Sequence, residues 1–113
     1  MVRGVERGVK DPGRNVAIND DPFVEGFNMN LAQPCSKSVR LNGLATCLRL
    51  EKVYWTILSA IAHSNNCSVN AVLSYIDREV HLRYGGVKNF SGLIRVVCVS
   101  HLAKAGCLDL TQP

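Results

Sequence analysis

Residues 38–50 read SVRLNGLATCLRL, and the fold depends on how this stretch is read. Asn42-Gly43 is a turn signal, because both residues tolerate the left-handed backbone of a tight reversal. After it, Leu44, Thr46, Leu48 and Leu50 share one face of an extended chain, and Ala45, Cys47 and Arg49 share the other. The spacing predicts a half-buried strand. Residues 38–41 are either a short partner strand folded back by the turn or a lead-in to the same strand.

Downstream, residues 51–65 read EKVYWTILSAIAHSN. Tyr54, Leu58, Ile61 and Ala62, with Ile57 beside them, recur at helical spacing. Glu51 opens this helix where an anion suits the helix dipole, and Asn65-Asn66 closes it. A second helix is expected over 68–84. Ser68 suits its N-cap, the stripe Ala71, Val72, Tyr75, Ile76 and Glu79/Val80 follows at helical spacing, and Gly85-Gly86 stops it. Residues 90–104 (FSGLIRVVCVSHLAK) are ambiguous on their own. The β-branched run Ile94, Val96, Val97, Val99 suits a buried strand, whereas the length and an Asn89 N-cap suit a helix.

Upstream, residues 1–37 hold three of the four prolines and no sustained period, so they read as a flexible tail. Met29 is a second candidate start, which would make residues 1–28 a translation artefact. The organisation expected is a tail at 1–37, a domain at 38–105 and a frayed end at 106–113. The 113 residues are 47% hydrophobic, enough for one small core. No apolar run is long enough to span a bilayer and no secretory leader is visible, so a cytoplasmic protein with no membrane partner is expected. Only 6% of residues are aromatic, which argues against a stacking surface for single-stranded nucleic acid. The net charge of +4 lies wholly in residues 38–113, which hold eight basic and four acidic side chains. That balance suits a polyanionic partner as well as an ordinary surface.

A single strand followed by two helices poses a problem. Its unpaired N–H and C=O groups are costly to bury, and its apolar face needs a cover. A second copy of the chain solves both. Two identical strands pair antiparallel across a two-fold axis, and helices close over one face. The opposite face then carries Ala45, Cys47 and Arg49, and a two-stranded ribbon has the right width for the major groove of B-DNA.

The stretch LATCLRLEKVYWTILSAIAHSNNCSVNAVLSYID resembles the ribbon-helix-helix DNA-binding domain, the class of the Met and Arc repressors. The features that match are an alternating strand ending in Leu-Arg-Leu, an acidic residue opening the first helix, the apolar set Tyr54, Leu58, Ile61-Ala62, a tight turn and a Ser-x-Asn start to the second helix. With the downstream NFSGLIRVVCVSHL, the chain is most similar to small bacterial ribbon-helix-helix proteins that carry an extra C-terminal helix. The resemblance covers roughly residues 38–103 and tips 90–104 toward helix. It implies a mostly α fold with one short strand per chain, an intertwined homodimer with a two-stranded antiparallel ribbon, and a third helix. It also implies a bacterial transcriptional regulator, such as a repressor, that binds duplex DNA. Arg49, Cys47 and Ala45 would face base edges, with Arg49 able to donate two hydrogen bonds to a guanine. Backbone N–H groups at Ser68, Val69 and Asn70 would hold a phosphate, and Lys37 and Arg40, preceding the ribbon, would reach others. Two departures from the family pattern matter. Ala45 and Cys47 stand where polar reading residues are usual, and Asn66-Cys67 replaces a Gly-containing turn.

Other chemistry finds little support. Cys98 and His101, with Cys107 beyond, and His63 with Cys67 lack paired C-x-x-C spacing, so reduced core thiols and no metal or cofactor are expected. Asp77 and Glu79 are two apart on a helix and face apart, Gly85-Gly86 lacks a following Lys-Ser/Thr, and no nucleophile–base set is apparent, so no enzyme is expected. The rival reading is an antitoxin-like or adaptor module on the same dimer, with a protein partner, favoured by the weak reading side chains Ala45 and Cys47.

Overall fold

The protein, described by a computed structural model over residues 23–106, folds as a hairpin followed by three helices. A short 3-10 turn at Met29–Ala32, capped by the Asn28 side chain on Asn30 N–H, leads into strand β1 (Pro34–Leu41). Strand β2 (Leu44–Glu51), helix α1 (Lys52–Ser64), helix α2 (Val69–Tyr84) and helix α3 (Phe90–Lys104) follow. The strands pair antiparallel along their whole length, from Pro34 opposite Glu51 to Leu41 opposite Leu44. Asn42 and Gly43 close the hairpin with φ of 52° and 89°. Positive φ at both positions is the type I′ turn, whose twist matches that of paired strands.

This corrects two expectations. The chain holds two strands of eight residues where one short strand per chain was expected, and of the two readings of residues 38–41 the partner strand folded back by the turn is the one found. The ladder therefore closes within one chain, and a lone strand no longer demands a second copy. Strand β1 also takes up Pro34–Lys37, so the domain begins before residue 38. Of the expected tail, residues 1–22 lie outside the described residues, as do 107–113 of the expected frayed end.

The helices cover one face of the hairpin. Val39, Leu48, Leu50, Trp55, Leu58, Leu73, Ile94 and Cys98 form the core. Trp55 Nε1 donates to the Cys35 carbonyl at 2.9 Å, so the indole is both packed and satisfied. Cover runs out toward the hairpin tip. Leu44 and Thr46 share the inward face with Leu48 and Leu50, yet both are exposed, Leu44 at 71%.

Helix α2 departs from its expected packing in the same direction. Leu73 is its buried residue, whereas Ala71 and Tyr75 of the expected stripe are exposed and Val72 and Ile76 half-buried. The ambiguous segment is helix α3. Ile94 and Cys98, four apart, are its buried residues, which is a helical spacing. Asn89 caps it, accepting from Gly92 N–H at 2.9 Å. Gly85, at φ 77°, ends α2 in the left-handed conformation.

An ion pair ties α3 to the end of β2. Arg95 Nε lies 2.9 Å from Glu51 Oε1, and its guanidinium stacks over the Tyr54 ring at 5.8 Å. The hydrogen bond from Arg95 holds the Glu51 carboxyl below its ordinary range. Such a depressed carboxyl stabilises the fold at neutral pH and loses that contribution as pH falls through its folded-state value. Both side chains are one-third exposed, so the effect is modest. Glu51→Gln is expected to lower the thermal midpoint slightly at pH 7, with the gap to the parent chain closing as the pH is taken down into the acid range. Thermal unfolding of both proteins across pH 3–7 measures this.

Candidate nucleic-acid interface

The face of the hairpin turned away from the helices carries Ser36, Ser38 and Arg40 from β1 and Ala45, Cys47 and Arg49 from β2. Ser36 sits opposite Arg49, Ser38 opposite Cys47 and Arg40 opposite Ala45, and all six are exposed. The face holds two guanidinium groups and no carboxylate. Four of its six side chains are small. Arg40 Nη1 donates to the Gly43 carbonyl at 3.1 Å, which holds that guanidinium toward the hairpin tip and leaves its other N–H groups available.

Ala45, Cys47 and Arg49 thus share the outward face, as the alternation predicts. The account of Lys37 and Arg40 needs correction, since both lie within the ribbon and do not precede it. Lys37 is paired with Leu48 on the helix side, its Nζ 5.0 Å from the centre of the Trp55 ring. Arg40 lies on the outward face with Arg49. Ser36 and Ser38 were missed by sequence reasoning. Their signal was the Ser-x-Ser-x-Arg alternation ahead of Asn-Gly, masked by Pro34 and by Lys37 at an inward position.

Helix α2 begins beside β1. Ser68 Oγ accepts from Ala71 N–H at 3.0 Å, the N-cap bond expected of it. The N–H groups of Val69 and Asn70, at the first two helical positions, have no acceptor within their own helix. The Asn70 side chain has another task. Its Oδ1 accepts from Arg40 N–H at 2.8 Å, and its Nδ2 donates to the Arg40 carbonyl at 2.7 Å. One side-chain amide thus takes the place of a neighbouring strand. Ser74 Oγ adds a bond to the same carbonyl at 3.0 Å and accepts from Asn42 N–H at 3.2 Å. The Asn42 side chain donates to the Ser74 carbonyl and to Asp77 Oδ2, each at 3.1 Å, and Arg78 Nη1 reaches Asn42 Oδ1 at 3.3 Å. This network seals the outer edge of β1 near the tip and fixes the α2 N-terminus against the ribbon.

The other edge is open. Since Arg40 turns its backbone groups outward, alternation assigns outward backbone groups on β2 to Ala45, Cys47 and Arg49. Among the described residues these have no partner beyond the hairpin. A groove of about 420 Å³ runs along this edge between Thr46–Arg49 and Lys88–Ser91. A larger cleft of about 760 Å³ lies between α2 and α3. Ile61, Val72, Tyr75, Ile76, Val96 and Val97 line its apolar part, and Arg78, His101 and Lys104 also border it.

The thiols and imidazoles do not converge. No group of three or more metal-ligating side chains occurs among the described residues, and Cys107 lies outside them. Burial pushes the Cys98 thiol up to about 11, which keeps it protonated and unreactive at neutral pH. No helix among the described residues is long and apolar enough to cross a membrane.

Comparison with known proteins agrees with this geometry. A family model described as "Ribbon-helix-helix domain" matches residues 34–102. An uncharacterized protein from Bordetella pertussis Tohama I has a solved structure similar to this one. The two share 27% sequence identity and a TM-score of 0.66, over 77% of this chain and 71% of that one. No curated protein matches.

Because Asn70 satisfies both backbone groups of Arg40, Asn70→Ala is expected to cost about 1–2 kcal/mol, read from urea unfolding. The Arg40 amide proton is expected to exchange faster in the variant, while amides of α3 keep their protection. Uniform loss of protection would contradict the local role assigned to this side chain.

Proposed function

The chain belongs to the ribbon-helix-helix domain family, and on that premise we propose that it is a homodimeric protein that binds duplex DNA sequence-dependently and regulates transcription, in the manner of a repressor. The observation that carries this reading is the outward face of the hairpin. It is exposed and of groove width, and it bears Arg40 and Arg49 with no acidic side chain. Two strands about 4.8 Å apart enter a major groove about 12 Å wide. Arg49 is the first base-reading side chain, with Cys47 and Ala45 contributing close van der Waals contact. The free N–H groups of Val69 and Asn70, beside the ribbon and at the positive end of the α2 dipole, suit a flanking phosphate. Ser68 supports that site as its cap. The action is binding, not catalysis, and the setting of a cytoplasmic bacterial regulator goes with it.

The dimer rests on the helices. The α2–α3 cleft exposes Tyr75 at 54% and Val96 at 62%, and Val99 and Leu102 lie exposed along the same helix as Val96. Ala71 and Tyr75 of the stripe expected of α2 are therefore left uncovered by their own chain, while Val72 and Ile76 pack partly against its core, and in this reading a second copy of α2 and α3 covers the exposed part. Two hairpins joined edge to edge would make four strands, roughly 14 Å between outer axes, too wide for the groove. Dimerisation through helices instead leaves each hairpin free to enter its own groove segment. The same apolar cleft supports a second reading, in which the protein is an antitoxin-like or adaptor module and a different protein occupies the cleft.

The purified chain is expected to sediment as a dimer at micromolar concentration, and Tyr75→Lys with Val96→Asp to make it monomeric while it stays folded. It is also expected to shift duplex DNA at low salt, with affinity falling steeply as salt rises. Arg49→Ala should retain weak nonspecific binding and lose preference for a selected site. A dimer that shifts no duplex at all favours the adaptor reading.

A further inference from the structure

The hairpin places two arginines on one ribbon within a single chain. Arg40 lies opposite Ala45, and Arg49 is four residues further along β2. Residues opposite one another share a face, as do residues an even number apart on one strand, so both guanidinium groups project to the same side. At about 3.4 Å per residue, their positions are separated by about 14 Å along the ribbon. Stacked base pairs repeat at roughly the same 3.4 Å interval. Between the arginines lie Ser38 and Cys47, paired with each other, and beyond them Ser36 and Ala45, all small. No large side chain lifts the ribbon off the groove floor between the two cations. Neither arginine has a carboxylate partner among the described residues, and the Arg40 side chain is held only by the Gly43 carbonyl.

We propose that Arg40 and Arg49 are two guanine-contacting side chains of one ribbon, so that a single protomer specifies two base pairs on the order of four steps apart. This makes Arg40 a specificity residue and not a phosphate anchor, and it makes β1 a reading strand in its own right. The inference rests on the DNA-binding reading above. Its geometric reason is the alternation of β1. A side chain at the edge of the ribbon and turned sideways would meet the sugar-phosphate walls, whereas Arg40 stands on the outward face beside Ala45, whose methyl leaves room in front of it.

Glutamine substitutions separate the two roles. A glutamine at a base-reading position prefers adenine where arginine prefers guanine, and a phosphate contact has no such preference. The experiment is selection of bound sequences from a random duplex pool by the full-length chain, by Arg40→Gln and by Arg49→Gln, with the salt dependence of affinity measured for each. Each variant is expected to move one position of the selected site from guanine toward adenine, at a different position for each arginine. Loss of discrimination at that position should be about tenfold to a hundredfold. Arg40→Ala should erase the Arg40 position and leave the Arg49 position intact. The inference is overturned if Arg40→Gln weakens all duplexes equally and lowers the salt slope by about one, which is the signature of a phosphate contact. It is also overturned if both variants alter the same position. A parent chain that binds no duplex overturns the DNA-binding reading and this inference together. A parent chain that selects sites unaffected by Arg40 overturns this inference alone. Arg40 anchors α2 through its backbone and not its side chain, so these variants keep the hairpin and the Asn70 contact.

Discussion

The eight-residue ladder closed by Asn42-Gly43 is the constraint from which the rest of the structure follows. A two-residue type I′ loop leaves no freedom in register. Once Leu41 is set opposite Leu44, the parity of every later residue is decided. Lys37, Val39, Leu48 and Leu50 must turn toward the helices, and Ser36, Ser38, Arg40, Cys47 and Arg49 must turn away. The same parity assigns the backbone. The residues that face outward are those whose N–H and C=O groups point to the ribbon edges. Thus Arg40 needs an edge partner, and α2 supplies it through Asn70 and Ser74. A shift of one residue would bury both arginines and expose Leu48 and Leu50, so fold and candidate interface stand or fall on one turn.

Much of this was legible in residue order. Alternation from Leu44 to Leu50 gave the inward and outward sets of β2, Ser68 gave the α2 cap, and Gly85-Gly86 gave its end. The Asn-Gly turn was legible too, and with it a partner strand at 38–41 as one of two readings, but not the extension of that strand back to Pro34. β1 was hard to read because its inward positions are Cys35, Lys37, Val39 and Leu41, and a lysine there hides the apolar period. That lysine is tolerated because its ammonium lies over the Trp55 ring, a contact between residues 18 apart that no local pattern reveals. The role of Asn70 was equally hidden. A Ser-x-Asn start reads as capping chemistry, and only the tertiary approach of α2 to β1 turns the amide into a substitute strand. Helix α3 was ambiguous because β-branched residues fit either state. In the helix, Ile94 and Cys98 are buried on one side and Arg95 reaches Glu51 at the end of β2, contacts that no local pattern reveals.

Closing the ribbon within one chain changes the reason for a second copy. A lone strand would need a twin to satisfy its backbone. Here the backbone is largely satisfied, and what remains uncovered is side-chain surface: the α2 stripe around Tyr75 and the α3 stripe from Val96 to Leu102. Of α2, Leu73 alone is fully buried in the chain's own core, with Val69, Val72 and Ile76 packed partly against it. The two faces of α2 are therefore divided in function. One side, with Asn70, Ser74 and Asp77, holds the hairpin, and the exposed surface around Tyr75 is the part that the proposed dimer would cover. In the proposed dimer the driving force for association thus shifts from backbone hydrogen bonding to apolar burial, which is less directional and places fewer demands on exact strand register.

The small side chains on the outward face can be understood in the same terms. Ala45 and Cys47 offer little hydrogen-bonding capacity, and taken alone they make a poor reading surface. With Ala45 opposite Arg40 and Cys47 between Arg40 and Arg49, their role in the proposed DNA complex is steric. A groove about 8.5 Å deep admits an arginine to its floor only if the backbone that carries it comes close, and every bulky neighbour holds that backbone away. Ser36, Ser38, Ala45 and Cys47 permit that approach along the whole ribbon. In the proposed DNA complex, specificity is then concentrated in two long side chains, Arg40 and Arg49, whose spacing is set by strand geometry. A polar residue at each outward position would spread it over many weaker contacts. The weakness seen at Ala45 and Cys47 when β2 is considered by itself is the condition for close approach when both strands are considered together.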